Sequence, residues 1–209
     1  MRDDILPIRL TRRDYRLIAK ESLYHGFFSM EKYHLQCRLF NGGWSETFGR
    51  EVLLRYRVAA ALPYDPRLDK VVLIEQFRAG ALQDEHTPWL LELVAGILTD
   101  PTESLEQLAH REAYEESGLQ IEELVPICDY WVSPGGSSER VALFCAKVDA
   151  SQAGGVYGVK EEHEDILVHA LNAQDAFDAV RSGRINNAAS IIALQWLELN
   201  QRKLRAKWL

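Results

Sequence analysis

Residues 96–119, GILTDPTESLEQLAHREAYEESGL, constrain this chain more than any other stretch. In a helical register Leu105, Leu108, Ala109, Glu112 and Glu116 follow the i, i+3, i+4, i+7 stripe that ordinarily faces a core. Two of those core-facing positions are carboxylates. Glu112, Glu115 and Glu116 fall within an arc of about 100° on such a helix, so they can converge on one ion. Carboxylates crowded on a half-buried face repel one another and lose hydration, which a divalent cation compensates. Oxygen-only ligands select magnesium or manganese. A merely solvated acidic face would instead carry apolar residues at the register of Glu112 and Glu116. Gly118 stops the helix, and Asp100-Pro101-Thr102-Glu103 has the cap, proline and acid order of a helix start, so the spacing predicts a helix beginning near Pro101.

The rest of the composition narrows the class. A chain of 209 residues, 47% hydrophobic and 26% charged, supports one good core plus a small appendage. No apolar run approaches the roughly 18 residues of a membrane span, and Met1-Arg2-Asp3-Asp4 opens with acid, so a cytoplasmic protein is expected. Cys37, Cys128 and Cys145 are widely spaced in apolar or strand-like contexts, which predicts reduced core thiols. A net charge of −7 disfavours non-specific binding to nucleic acid or acidic membranes.

Along the chain, short strands are expected over about 14–40, including Tyr24–Phe28 and Tyr33–Phe40, with a turn at Asn41-Gly42-Gly43. A β unit of this size buries too little to stand alone and must pack on the rest of the chain or on a second copy. Further strands are expected at 51–62 and 70–77, joined by Pro63-Tyr64-Asp65-Pro66, then at 89–95, 127–133, 140–148 and 166–170. Helices follow at 173–182 and 187–200, the second with Ala189, Ile192, Ala193, Trp196 and Leu197 at core spacing. The terminal RKLRAKW reads as a solvated helix end.

Glu103, Arg111-Glu112, Glu115-Glu116 and Ser117-Gly118-Leu119, in this spacing, resemble the signature box of the Nudix hydrolases. The run from Gly96 to Glu103 is one residue longer than in that box, a change confined to the loop. The order of YHGFF, LIEQFR, HTPWLLELVAG, SPGGSSER, EEHEDI and NNAAS is similar to the ADP-ribose pyrophosphatases of bacteria. The resemblance implies an α+β fold in which an α/β/α sandwich with a mixed sheet (51–209) follows a small N-terminal antiparallel β domain (1–50). That domain would serve dimerisation and substrate recognition, with its strands swapped onto a partner copy. The implied reaction is magnesium-dependent hydrolysis of ADP-ribose to AMP and ribose 5-phosphate. Another nucleoside diphosphate sugar such as GDP-mannose, or a non-catalytic sensor of ADP-ribose, are the competing readings.

Glu112 and Glu116 are the expected metal ligands, with Glu115 adjoining them. The resemblance adds the Ala95 carbonyl to that ligand set. Arg111 would orient the carboxylates, against the plainer reading of an i, i+4 pair with Glu115. Box carboxylates engaged with metal make poor bases, and the resemblance assigns the base to Glu162, with Glu164 near the metal. His163 competes for the base on pKa alone. Arg78 and Arg50 are candidates for the diphosphate or adenine end, because a guanidinium binds phosphate bidentately and stacks on bases; Phe27 could supply the other stacking face. Ser133–Glu139 reads locally as a tight turn. The resemblance implies that this loop, through Ser133 and Glu139, reaches the substrate, with Glu139 recognising ribose hydroxyls.

Overall fold

The computed structural model describes residues 10–160 and 163–209. The chain divides into two units, Met1–Arg55 with Val132–Glu139, and Tyr56–Trp131 with Arg140–Leu209. In the first, strands β1 (Tyr15–His25), β2 (Ser29–Cys37) and β3 (Phe48–Leu54) form an antiparallel sheet in the order β1-β2-β3. The Tyr24–Phe28 stretch, expected as strand, ends in a turn: Gly26 N–H donates to the Phe28 carbonyl at 2.9 Å, so the hairpin closes there. The glycine turn at Gly42-Gly43 is present, with φ of 91° and 79°. Residues 51–54, expected to begin the following domain, pair with β2 and so belong to this sheet.

The second unit is built on β4 (Arg57–Asp65), whose RVAAALPYD sequence is apolar on both sides. Alternation sends Ala60, Leu62 and Tyr64 into one buried cluster and Ala59 and Ala61 into the opposite one. Around it lie β5 (Lys70–Phe77), β6 (Trp89–Glu92), β7 (Val94–Ile97), β8 (Glu123–Trp131), β9 (Arg140–Lys147), β10 (Gly155–Tyr157) and β11 (Ile166–Asn172). The sheet order is β10-β11-β5-β4-β9-β8, with β6 added on β5 and β7 on β4. Only β4 and β9 pair in parallel among the described strands, which makes the sheet mixed. Helix α1 (Leu105–Ser117) packs on one face, and α2 (Ala173–Arg181) and α3 (Ala188–Trp208) on the other.

Four further expectations need correction. Strand β4 continues through Pro63 and Tyr64, which were expected to turn. Pro63 falls in the gap between the β7 pairing, which ends at Ala61, and the β5 pairing, which begins at Tyr64, so no ladder bond is lost there. Helix α1 begins at Leu105 rather than near Pro101: Asp100 Oδ1 instead accepts from Thr102 N–H and Oγ1 at 2.8 and 2.7 Å, which closes a turn ahead of the helix. Cys145 is buried, yet Cys128 is exposed on the outward side of β8; all three cysteines are free. Helix α3 runs to Trp208, burying Leu204 and Trp208 where a solvated end was expected. Arg205 and Gln201 on that last stretch, together with Tyr64, converge on Asp69 Oδ1 at 3.1, 2.7 and 2.7 Å. Among the described residues no helix is long and apolar enough to cross a membrane.

Candidate active site on helix α1

Helix α1 is capped at both ends. Ser104 Oγ accepts from Gln107 N–H while the Gln107 side chain accepts from Ser104 N–H, a reciprocal capping box. Gly118 takes φ 68°, and the Gly118 and Leu119 N–H groups bond back to Tyr114 and Ala113, as a left-handed C-cap requires. Fixed ends fix the register, so Leu108, Ala109, Ala113 and Glu116 all face the core.

Glu116 is 2% exposed, and its Oε2 accepts the Ala95 N–H at 2.8 Å. Burial pushes its carboxyl well above the usual carboxylate range against that hydrogen bond, and the charges of Glu112 and Glu164 push the same way. Glu112 is pushed up to about 7, chiefly by burial; Arg111 opposes the shift, while Glu115 and Glu164 add to it. Strand β7 passes so close that a Cβ on Gly96 would lie 1.9 Å from Glu112 Oε1, so glycine is a steric requirement there. Arg111 is gripped by four oxygens: Glu103 Oε1 and Oε2 at 3.1 and 3.3 Å, and Glu112 Oε1 and Glu115 Oε2, both at 2.8 Å. The i, i+4 pair with Glu115 therefore exists, and Arg111 orients Glu112 as well.

Arg111, Glu112, Glu115 and Glu116 thus lie along α1, with Ala95 on β7 bonded to Glu116 and Glu164 near enough for its charge to raise the carboxyls of Glu112 and Glu116. Glu164 Oε2 accepts from Val159 N–H at 3.1 Å. Arg78 joins this group, its charge favouring the ionised form of Glu116 and its Nε 2.6 Å from Glu92 Oε2. Glu115 is turned to Arg111 rather than toward Glu116. Among the described residues no three carboxylate, imidazole or thiol side chains stand at metal-ligating spacing. Glu112 and Glu116 nevertheless each keep an oxygen beyond the contact that holds them, and desolvated hard oxygen donors are what a divalent cation takes. Glu162 lies outside the described residues. His163, beside it, has φ 57° and donates its N–H to the Lys160 carbonyl at 3.1 Å.

A model of the NUDIX domain matches residues 54–206, nearly all of the second unit. The chain belongs to the NUDIX family. Within that family it is similar to the ADP-ribose pyrophosphatase of Escherichia coli strain K12, 45% identical over 208 residues, covering 100% of this chain and 99% of the relative. It is 39% identical to the ADP-ribose pyrophosphatase of Haemophilus influenzae over 201 residues, covering 95% of this chain and 92% of that one. A crystal structure of an ADP compounds hydrolase shares the fold at a TM-score of 0.69, with 19% identity over 92% of this chain and 97% of that chain.

The remaining expected residues of this NUDIX chain lie in the first unit. Phe27 is 81% exposed at the tip of the β1–β2 hairpin, edge-on to Phe28 at 4.8 Å. Arg50 lies over the Phe48 ring at 4.7 Å and donates to the Gly49 carbonyl. The Ser133 carbonyl accepts from Gly136 and Ser137 N–H, so the tight turn is real. Glu139 Oε1 pairs with Arg55 Nη2 at 3.3 Å, and Arg55 lies over the Phe28 ring at 4.1 Å. Arg55 was not anticipated, although its place among the arginines of RYR offered a signal. Glu92 was not anticipated either, since nothing local in WLLE marks it as the partner of Arg78. Glu103 belonged to the motif, but its eight-residue separation from Arg111 hid the pairing.

Proposed function

We infer that the chain hydrolyses the pyrophosphate of ADP-ribose to AMP and ribose 5-phosphate, dependent on magnesium or manganese. The observation that carries this reading is the pair of desolvated carboxylates with raised proton affinities, Glu112 held against Gly96 and Glu116 bonded to the Ala95 N–H. For both carboxylates burial outweighs the guanidiniums of Arg111 and Arg78, and the full-length likeness to ADP-ribose pyrophosphatases supports the same assignment. Glu112, Glu116, Glu164 and the Ala95 carbonyl would hold the cation. When bound, it supplies positive charge to the non-bridging oxygens of the diphosphate.

The chain's own groups do the rest. Arg111, fixed by Glu103 and Glu115, holds Glu112 in place, and Arg78 presents a guanidinium to the diphosphate beside Glu116. Glu162 takes the proton from the attacking water, with His163 as the rival base. Phe27 and Arg50 receive the adenine end, and Ser133 and Glu139 the distal ribose. The enzyme works as a homodimer with swapped N-terminal strands. Support for that comes from the wholly exposed β1, which shows Tyr15, Leu17, Ile18, Leu23 and Tyr24 to solvent. We place it in the cytoplasm, where its free thiols stay reduced.

A product assay with ADP-ribose and GDP-mannose, with and without magnesium, tests the reading. AMP and ribose 5-phosphate formed only with the cation, and faster than GDP-mannose is cleaved, support it. Preferred cleavage of GDP-mannose, or tight binding of ADP-ribose without turnover at saturating magnesium, would overturn it.

A further inference from the structure

Strand β5 alternates, so Val72, Ile74 and Gln76 point to the face that α1 covers, where Val72 and Ile74 join Leu108, Ala109 and Ala113 in one cluster. Gln76 lies directly opposite Leu90 of β6, and Ile74 opposite Glu92, so Leu90 and Glu92 share that face. Along the other edge β11 pairs with β5 up to Leu167 and Glu75, and continuing the register brings Ile166 of the same cluster beside Gln76. Charged groups of the α1 site flank this position: Arg78 two residues on, its Nε 2.6 Å from Glu92 Oε2, and Glu164 two residues before Ile166. Arg78 and Glu164 both act on the Glu116 carboxyl. Among them Gln76 is only 7% exposed, and its Oε1 is cut off from solvent with no donor among the described residues. A buried carbonyl oxygen without a donor destabilises a fold, so an acceptor kept here calls for a partner from outside the chain.

An amide oxygen accepts and cannot donate, which excludes the diphosphate, whose non-bridging oxygens are acceptors too. The partner must bring an O–H or N–H. Magnesium gives up its hydration reluctantly and keeps several waters when carboxylates bind it, each with hydrogens polarised by the ion. We propose that Gln76 is a positioning residue for the cation: its Oε1 accepts a hydrogen bond from a water carried by the ion that Glu112, Glu116 and Glu164 hold. The proposal rests on the reading of those carboxylates as a cation site. A neutral acceptor suits the place, because a further carboxylate would add to the repulsion that already raises the Glu112 and Glu116 carboxyls. The free protein thus carries an unmet acceptor that is satisfied when the hydrated cation arrives.

Calorimetric titration of manganese into the chelator-treated full chain tests this. Gln76→Met nearly keeps the side-chain volume and removes the acceptor. Its Kd for manganese should rise about tenfold, as for other groups that steady a metal from outside its ligands, while KM for ADP-ribose at saturating manganese changes by less than about twofold. In chelator the same variant should melt roughly 2–4 °C above wild type, because the unmet acceptor is gone. Gln76→Glu restores an acceptor and should bind manganese at least as tightly as wild type, while melting lower in chelator. If Gln76→Met does not fold, Gln76→Asn carries the test: it draws the oxygen back by a methylene, and its Kd should rise several-fold. An unchanged Kd would overturn the proposal, and a raised KM beside that unchanged Kd would assign the oxygen to a substrate hydroxyl instead. A lower melting temperature for Gln76→Met in chelator would overturn it as well, by showing the oxygen already satisfied within the fold. If wild type binds no manganese, the cation reading itself fails and the proposal falls with it.

Discussion

Helix α1 and the N-terminal sheet handle their polar and apolar residues in opposite ways. On α1 a carboxylate is driven to 2% exposure on the buried face of a helix capped at both ends, whereas along β1 every residue, including two tyrosines, two leucines and an isoleucine, is left in the open. Burying charge and exposing apolar surface both cost stability in an isolated chain. The first cost points to something that binds within the fold and the second to something that covers it from outside. Substitutions in the two regions should therefore fail differently.

The largest effect is expected at Glu116. Glu116→Gln keeps the volume and the acceptor for Ala95 N–H but removes the charge, so magnesium-dependent hydrolysis should fall by orders of magnitude with the far-ultraviolet circular dichroism unchanged. Near-normal rates at low magnesium would erase the contrast between the regions. Gly96→Ala comes next. The added Cβ would lie 1.9 Å from the end of a flexible side chain, so Glu112 swings aside rather than the backbone breaking. Activity should drop roughly 10–100-fold, as for other groups that orient ligands, while the melting temperature moves little.

On the exposed side, Ile18→Asp should leave the second unit intact and shift the protein from dimer to monomer in sedimentation velocity. A wild type that is monomeric at micromolar concentration would break this half of the comparison. A smaller effect concerns pH. Glu112 in the folded chain holds its proton up to about 7, against 4.5 as an ordinary side chain. Between those values the folded state binds more protons than the unfolded one, so in chelator stability should decline as pH rises through this window. Thermal melts from pH 5 to 8 should show that slope, Glu112→Gln should reduce it, and saturating magnesium should flatten it. The mildest test is thiol labelling. The Cys145 thiol is buried and pushed up to about 12, so in the native protein it should stay unlabelled while Cys128 reacts.

The same contrast explains what could be read from the sequence. Helix α1 was legible because burial imposes a period, and Leu105, Leu108, Ala109, Glu112 and Glu116 carry it. Its start was misread because Asp-Pro-Thr-Glu suits a capping box and an aspartate-closed turn equally, and only the competing Ser104–Gln107 box settles which forms. Strand β4 was cut short at Pro63, since the staggered ends of β7 and β5 that accommodate a proline lie in distant parts of the chain. Partnerships such as Arg78–Glu92 and Arg55–Glu139 leave no periodic trace, because they join residues whose meeting depends on strand order. The three-stranded sheet was recognisable as β structure. Its first turn was misplaced because Gly26-Phe27-Phe28 looks as much like strand as like hairpin tip.

The bonds from Tyr64, Gln201 and Arg205 to Asp69 bear on how the chain is made. Leu194, Leu197, Leu204 and Trp208 belong to the cluster that covers Ala60, Leu62 and Tyr64, so the central strand of the catalytic unit is finished by residues well over a hundred positions downstream. A ribosome delivers β4 early and its cover late. Until Trp208 has been synthesised that face of the sheet has only α2 and the earlier turns of α3 to cover it, a nascent state that is slow to close and open to aggregation. Ribosome-bound chains halted before Leu204 should accordingly be far more sensitive to protease, and more readily held by chaperones, than chains halted beyond it.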